Sequence, residues 1–352
     1  MQPVRSGALA LLTVGVLVIG ACMAEPGSRS PNATAPAGSP AVGGSVTVYS
    51  GRSEELVGPL LERFEEATGT SVEVRYGDTA ELAALILDEG ANSPADVYFA
   101  QDAGALGALS EVGLLAELPQ ELLDRVSGPF RSPAGEWVGV SGRARVLAYD
   151  SRELSEDDLP QSVDELTDPA WRGRIGWAPT NGSFQAFVTA YRQLRGEDAA
   201  RTWLEGMLAN EPRVYEGNTP IVQAVADTEI DLGLVNHYYA LRARAEQGDE
   251  FPVLNHFLSG DDPGALVNVA GAAVLASSTQ ASAAHELIAY LLNEESQAYF
   301  AEETFEYPLV DGVDAPAGAP PLEQLQVPDL DLSDLADLEG TLRLLQEVGA
   351  LP

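Results

Sequence analysis

With 352 residues, 45% of them hydrophobic, the chain has enough apolar side chains to bury the cores of two ordinary domains. Its 54 acids face 19 cations, every one an arginine, and the resulting net charge of −35 excludes a nucleic-acid binder, because nothing could replace the counterions of a phosphate backbone. Cys22 is the single cysteine, which rules out an internal disulfide.

Met1 to Gly7 carries one positive charge, and Ala8 to Gly20 is a 13-residue apolar run. That run is too short to span a bilayer comfortably and fits the core of a secretory signal peptide over residues 1–21. It ends at Ile19-Gly-Ala-Cys22, which resembles the lipobox of bacterial lipoproteins. The expectation is a lipid on Cys22, holding the protein to the outer side of the cell membrane, at the cell surface or in the periplasm. Residues 22–44 are rich in Pro, Ser, Ala and Gly, and read as a flexible tether.

The body opens on Ser45-Val-Thr-Val-Tyr-Ser-Gly, which has strand alternation, followed by a helix carrying Leu56, Leu60, Leu61 and Phe64. Gly69 ends that helix and Val72 to Tyr76 is a second strand. This β-α-β unit predicts mostly parallel sheets with helices on both faces. A helix from Thr79 and a strand over residues 95–100 continue the pattern. Binding sites in such folds lie beyond the carboxyl ends of the strands, here the loops Ser50-Gly-Arg-Ser, Gly77-Asp-Thr-Ala-Glu and Gln101-Asp-Ala-Gly. Further on, Gly176 to Phe184 places a small-residue turn before an amphipathic helix, an arrangement that binds anions through free N–H groups or simply caps the helix. Strand-like segments near Gly139 and Leu266 cross between the halves. A helix pair covers Ala281 to Tyr299, and a terminal helix over Leu338 to Val348 is expected to pack on the second domain.

The stretch Asp231 to Arg242 contains the adjacent Tyr238 and Tyr239, at the point where a short buried strand hands over to a helix. Neighbouring helical side chains diverge by about 100° and rarely meet, but in a first turn both phenols can converge on one small ion. Phenolate oxygens are hard, anionic ligands that suit trivalent iron better than zinc or copper. A core-packed pair, or a wall for an organic ligand, is the alternative from the residues alone. His237, His256 and His285 have no ligand spacing. No nucleotide loop or nucleophile setting marks an enzyme.

Val48-Tyr-Ser-Gly-Arg, Tyr76-Gly-Asp-Thr-Ala-Glu-Leu, Gly90-Ala-Asn-Ser-Pro-Ala-Asp-Val, Leu109-Ser-Glu-Val-Gly-Leu-Leu and Val140-Ser-Gly-Arg-Ala-Arg-Val, with Asn236-His-Tyr-Tyr, resemble the periplasmic ferric-ion-binding proteins over roughly residues 45–310. The resemblance implies a two-domain, type II-like periplasmic binding protein with a hinge. Its first α/β domain would comprise residues 45–141 plus 269–308, and its second 142–268 plus 309–352. It implies a monomeric receptor, not an enzyme, serving the permease and ATPase of an iron importer. Fe(III) would be bound with a synergistic anion, carbonate or phosphate. Tyr238 and Tyr239 would be metal ligands with Glu81, or Asp78 if the alignment slips by one. The family's histidine position falls on Ser53, so water, an anion oxygen, Glu54, Tyr76 or Tyr98 would fill that place. Asn181, Gly182 and Ser183 would hold the anion with Asn218, Asn236 and Arg143. Arg143 and Arg145 lie two apart on a strand and so share one face, one expected to aim at the anion and the other to pair with a local acid. Relatives on this scaffold carry phosphonate, sulfate, thiamine or polyamines, so an organic or oxyanionic solute is the alternative cargo.

Overall fold

The computed structural model describes residues 44–351. The expected signal peptide, Cys22 and nearly all of the tether lie outside the described residues. In chain order the body runs β1 (Ser45–Ser50), α1 (Glu54–Thr68), β2 (Ser71–Tyr76), α2 (Thr79–Glu89), β3 (Val97–Ala100), α3 (Ala103–Glu111) and α4 (Gln120–Leu123). Next come β4 (Val138–Asp150), β5 (Ile175–Trp177), α5 (Gly182–Arg195), α6 (Glu197–Ala209), β6 (Arg213–Val214), α7 (Asn218–Ala226), β7 (Leu232–Asn236) and α8 (His237–Gln247). The chain closes with β8 (Val253–His256), β9 (Val267–Val274), α9 (Ala281–Leu291), α10 (Glu294–Glu302), β10 (Tyr307–Pro308) and α11 (Leu338–Glu347).

Local chemistry accounts for the first unit. Val46 and Val48 alternate into the core from β1, and α1 buries Val57, Leu60, Leu61 and Phe64 at helical spacing. Gly69, at φ 73°, lets its N–H reach the carbonyl of Glu65 and stops the helix. Asp78 caps α2 by accepting from the N–H groups of Ala80 and Glu81.

The strands form one mixed sheet in the order β2-β1-β3-β9-β4-β7-β5-β6, with β8 and β10 also pairing to β4. Pairing is parallel within the β-α-β parts, where β1 meets β2 and β3, and β5 meets β6 and β7. Around β4 and β9 it is antiparallel. The expected α/β architecture is present, and parallel pairing is confined to the segments with helical crossovers, since the antiparallel pairings of β4 and β9 need none. Every residue of β4 is buried. Its first half pairs with β9 and its second with β7 and β8, so one strand serves both sides of the sheet.

The terminal helix α11 packs on α5, where the Thr341 and Thr189 hydroxyls lie 2.7 Å apart and Arg192 pairs with Asp337 at 2.9 Å. The segment before it reaches further than expected. The short helical turn Leu332–Ala336 also lies on α3, with the Ser333 and Leu335 carbonyls against Gly107 and Gly104 so closely that a Cβ there would sit 2.4 and 2.5 Å from the oxygens. Two glycines one turn apart therefore make a groove for a backbone. No helix among the described residues is long and apolar enough to cross a membrane.

Candidate functional site

A cavity of about 790 Å³ opens where the loops after β1, β2, β3 and β5 meet the start of α8. All three loops expected from the strand pattern contribute: Gly51, then Asp78 and Thr79, then Gln101 and Asp102. From the other side come Asn181, Gly182 and Ser183, then Asn236, Tyr238 and Tyr239, with Arg143 on the floor and Leu335 to Glu339 at the rim.

Tyr238 and Tyr239 occupy the second and third positions of α8, and their rings stack with centroids 4.3 Å apart and planes inclined by 29°. Divergent side chains meet because β7 delivers the chain into the helix at the cavity edge. Tyr238 is buried apart from its cavity face, and Tyr239 is half-buried. Burial raises the Tyr238 pKa strongly, Tyr239 adds to the rise, and Arg143 opposes it. Asn236 precedes the helix but does not cap it with its side chain, whose Oδ1 instead accepts from Arg145 Nη1 at 3.3 Å.

The two arginines are the less expected part. Arg143 and Arg145 are both buried, and neither has a carboxylate within ion-pair distance. This corrects the expectation that one would pair with a local acid: Arg145 lies among Phe184, Phe187 and Asn236, and Arg143 feels Asp102 electrostatically without an ion-pair contact. Arg143 donates to the backbone carbonyls of Gln101 and Val269. Arg145 lies over the rings of Phe184 and Phe187 at 5.7 and 5.4 Å, and its Nε and Nη2 find no partner. Burial lowers its pKa to about 9, with Tyr238 and Tyr239 acting in the other direction. The phenol pair thus sits beside two buried arginines that make no direct ion pair among the described residues, within a protein of net charge −35.

At the start of α5, Asn181 Oδ1 accepts from the Ser183 N–H at 3.1 Å and from the Ser183 hydroxyl at 2.6 Å. The hydroxyl expected to face an anion is therefore turned to the cap, and the Gly182 N–H is left without a protein acceptor. Asn218 lies behind this loop and does not line the cavity. Its Nδ2 donates to Asn181 and its Oδ1 accepts from the Asn236 N–H at 3.0 Å, so it ties the two cavity-facing loops together.

The expected carboxylate, Glu81, is exposed in the first turn of α2 and does not line the cavity. Asp78 and Asp102 do. The reason is the cap: with Asp78 bound to the N–H groups of Ala80 and Glu81, the third helical position turns to solvent. Asp102 caps α3 through the Ala105 N–H, and burial raises its pKa against the opposing pull of Arg143. Ser53, Glu54 and Tyr76 also lie off the cavity, and Tyr98 is in the core with its hydroxyl on the Thr79 carbonyl. Gln101 and Asp102 were missed as individual residues, although their loop followed from its place after a parallel strand. His237 is fully buried against Tyr307, at 4.7 Å between ring centroids, and accepts from the Ala144 N–H. Among the described residues no three His, Cys, Asp or Glu side chains converge as metal ligands.

Residues 80–334 match the bacterial extracellular solute-binding protein family. The chain belongs to that family. Its members bind solutes and are not enzymes, and the fold is that of periplasmic binding proteins. Among relatives, the major ferric iron-binding protein of Neisseria meningitidis serogroup B is 37% identical over 307 residues, covering 86% of this chain and 92% of its own. The Fe(3+)-binding periplasmic protein of Serratia marcescens is 31% identical over 308 residues, covering 87% and 90%. The crystal structure of iron-bound HitA from Pseudomonas aeruginosa is similar with a TM-score of 0.79 and 37% identity, over 87% of this chain and 99% of that one.

Proposed function

We propose that this protein is the substrate-binding lipoprotein of an ABC importer, capturing ferric iron between its two halves with Tyr238, Tyr239 and a synergistic anion. The observation that carries the reading is the stacked phenol pair facing a cavity beside two buried arginines, Arg145 having two side-chain nitrogens without a partner. A trivalent ion supplies the charge that removes the phenolic protons, and the resulting phenolates give Arg145 the negative neighbours it lacks. Asp102 replaces Glu81 as the carboxylate ligand in this proposal, because it faces the cavity. The anion, carbonate or phosphate, sits against the Gly182 N–H, Asn181 and Arg143 at the positive end of α5. Asn218 holds the loops in register, and Asn236 adds a polar wall. The relatives named for ferric iron support the same cargo.

The halves, 45–141 plus 269–308 and 142–268 plus 309–352, close over the cargo by bending where β4 and β9 pass between them. A lipid on Cys22 holds the monomeric receptor outside the membrane, and the permease and ATPase accept the iron. The test is optical. The iron-loaded protein is expected to be orange-red from phenolate-to-iron charge transfer, and Tyr238→Phe with Tyr239→Phe to abolish the band and lower ferric affinity by at least a hundredfold, as loss of two anionic ligands requires. A colourless wild type whose melting temperature rises with phosphonate, sulfate, thiamine or a polyamine would overturn iron in favour of an organic or oxyanionic cargo.

A further inference from the structure

The segment that leads into α11 touches two helices that line the cavity from different sides. One is α3, which follows β3 and lines it with Ala105 and Ala108; the other is α5, which follows β5 and lines it with Gln185, Ala186 and Thr189. Leu335, Ala336, Leu338 and Glu339 of the segment itself form part of the rim, so the double contact lies over the mouth.

The two contacts differ in kind. On α5 the segment is bonded: Gln193 Nε2 donates to the Asp334 carbonyl at 3.2 Å, and Arg192 Nη1 donates to the Asp337 carbonyl at 3.2 Å and the Thr341 hydroxyl at 3.0 Å. Arg192 also pairs with Asp337 at 2.9 Å from a side chain only 11% exposed. On α3 the turn Leu332–Ala336 has no hydrogen bond or ion pair among the described residues. It rests there by packing, with the Ser333 and Leu335 carbonyls against Gly107 and Gly104, and with Leu332 and Leu335 each 4% exposed. Packing attraction is forfeited within about an ångström of separation, so this contact is held or lost as a unit, whereas the α5 side would have to surrender several hydrogen bonds.

A segment seated on both helices fixes their separation. Bending at β4 and β9 moves α3 and α5 apart, and one of the two contacts must then be given up. We propose that the turn Leu332–Ala336 is a strap across the cavity mouth, which stays with α5 and leaves the glycine groove of α3 whenever the cavity opens. The proposal rests on the bending described under the proposed function and is independent of which cargo the cavity takes. Gly104 and Gly107 are the catch, since only residues without a Cβ let the carbonyls approach this closely. The seated strap biases the empty protein towards the closed form, and bound cargo adds its own contacts to the same bias.

The experiment measures the separation directly. In the full chain carrying Cys22→Ser, which leaves no other thiol, Glu111→Cys at the exposed end of α3 and Asp198→Cys at the exposed start of α6 take spin labels, and the distance distribution is recorded with and without ferric citrate. Gly107→Ala and Gly104→Ala, each placing a Cβ against a strap carbonyl, are expected to raise the long-distance population about tenfold, within the range for overpacking. Hydrogen exchange on the unsubstituted protein needs no folded variant. Amides of Leu332–Ala336 are expected to exchange at least about tenfold faster than those of α11, and ferric citrate to slow the first set only. A strap that exchanges as slowly as α11 overturns the proposal. So do glycine variants that fold cooperatively and keep the wild-type distances, even where ferric citrate shortens them and the ferric reading stands. Distances that lengthen in the variants but ignore ferric citrate uphold the strap and sink the ferric reading instead.

Discussion

At Tyr238, burial and nearby positive charge act in opposite directions on one phenol, and burial wins, leaving the unloaded side chain protonated well above neutral pH. If Tyr238 is the proposed ferric ligand, loading releases its proton. On the proposed ferric reading, ionisation of Tyr238 makes log K rise by about one per pH unit through the neutral range, and proton uptake at low pH would favour release of the cargo. Potentiometric measurement of protons released on iron loading in weakly buffered solution checks this. A second residue reports on folding. Buried, neutral His237 has its pKa lowered to about 4 from 6.5 by loss of solvation. The unfolded chain takes up that proton below pH 6.5 and the folded one does not until about pH 4, so this stability is intact above 6.5 and lost as pH falls towards 4. The loss is on the order of 3 kcal/mol in full. Urea unfolding at pH 7 and pH 4.5 should show less acid destabilisation for His237→Asn than for wild type. Legibility differed among these residues. The phenols were readable because adjacency at a strand-helix junction is a local fact. Glu81 was misleading because a cap and the third helical position carry the same chemistry, and only the direction in which the loop enters the helix tells them apart.

Among the elements, the last turn before α11 carries a prediction that separates packing from conformation. At Gly107 a side chain would run into the Ser333 carbonyl, a backbone atom that cannot swing aside, whereas at Gly182 a Cβ would meet nothing within 4 Å. Gly107→Val is expected to cost about 1–3 kcal/mol in urea unfolding, the range for overpacking, and Gly182→Ala to stay within about 0.5 kcal/mol. A large loss in Gly182→Ala, or none in Gly107→Val, would contradict the seating of the C-terminal segment on α3. The terminal helix itself was legible from its apolar period. The seat of the turn before it on α3 was not, because a groove made by absent side chains leaves two glycines in a sequence and no hydrophobic signal. Likewise the period-two spacing placed Arg143 and Arg145 on one face, but their lack of acidic partners depends on which strands flank β4.

For the molecule as a whole, charge is the dominant solution property. With 54 acids and 19 arginines, self-repulsion exceeds what the surface ion pairs return, so added salt should stabilise the protein. Raising sodium chloride from low concentration to 0.5 M is expected to lift the melting temperature by a few degrees, and a fall would mean that attractive pairs dominate. The sequence by itself determined the α/β class, the order of β-α-β units, the loops that meet at the cavity and the phenol pair, because each is written in periodicity or adjacency over a few residues. Only the tertiary structure decided that β4 pairs antiparallel with β9 along its first part and with β7 and β8 along its second, and that Asp78 and Asp102 face the cavity while Glu81 does not. It also decided that Arg52 and Glu306 meet as a buried ion pair. These depend on segments up to 254 positions apart, such as Arg52 and Glu306, whose meeting is set by packing of the whole sheet and by no local rule.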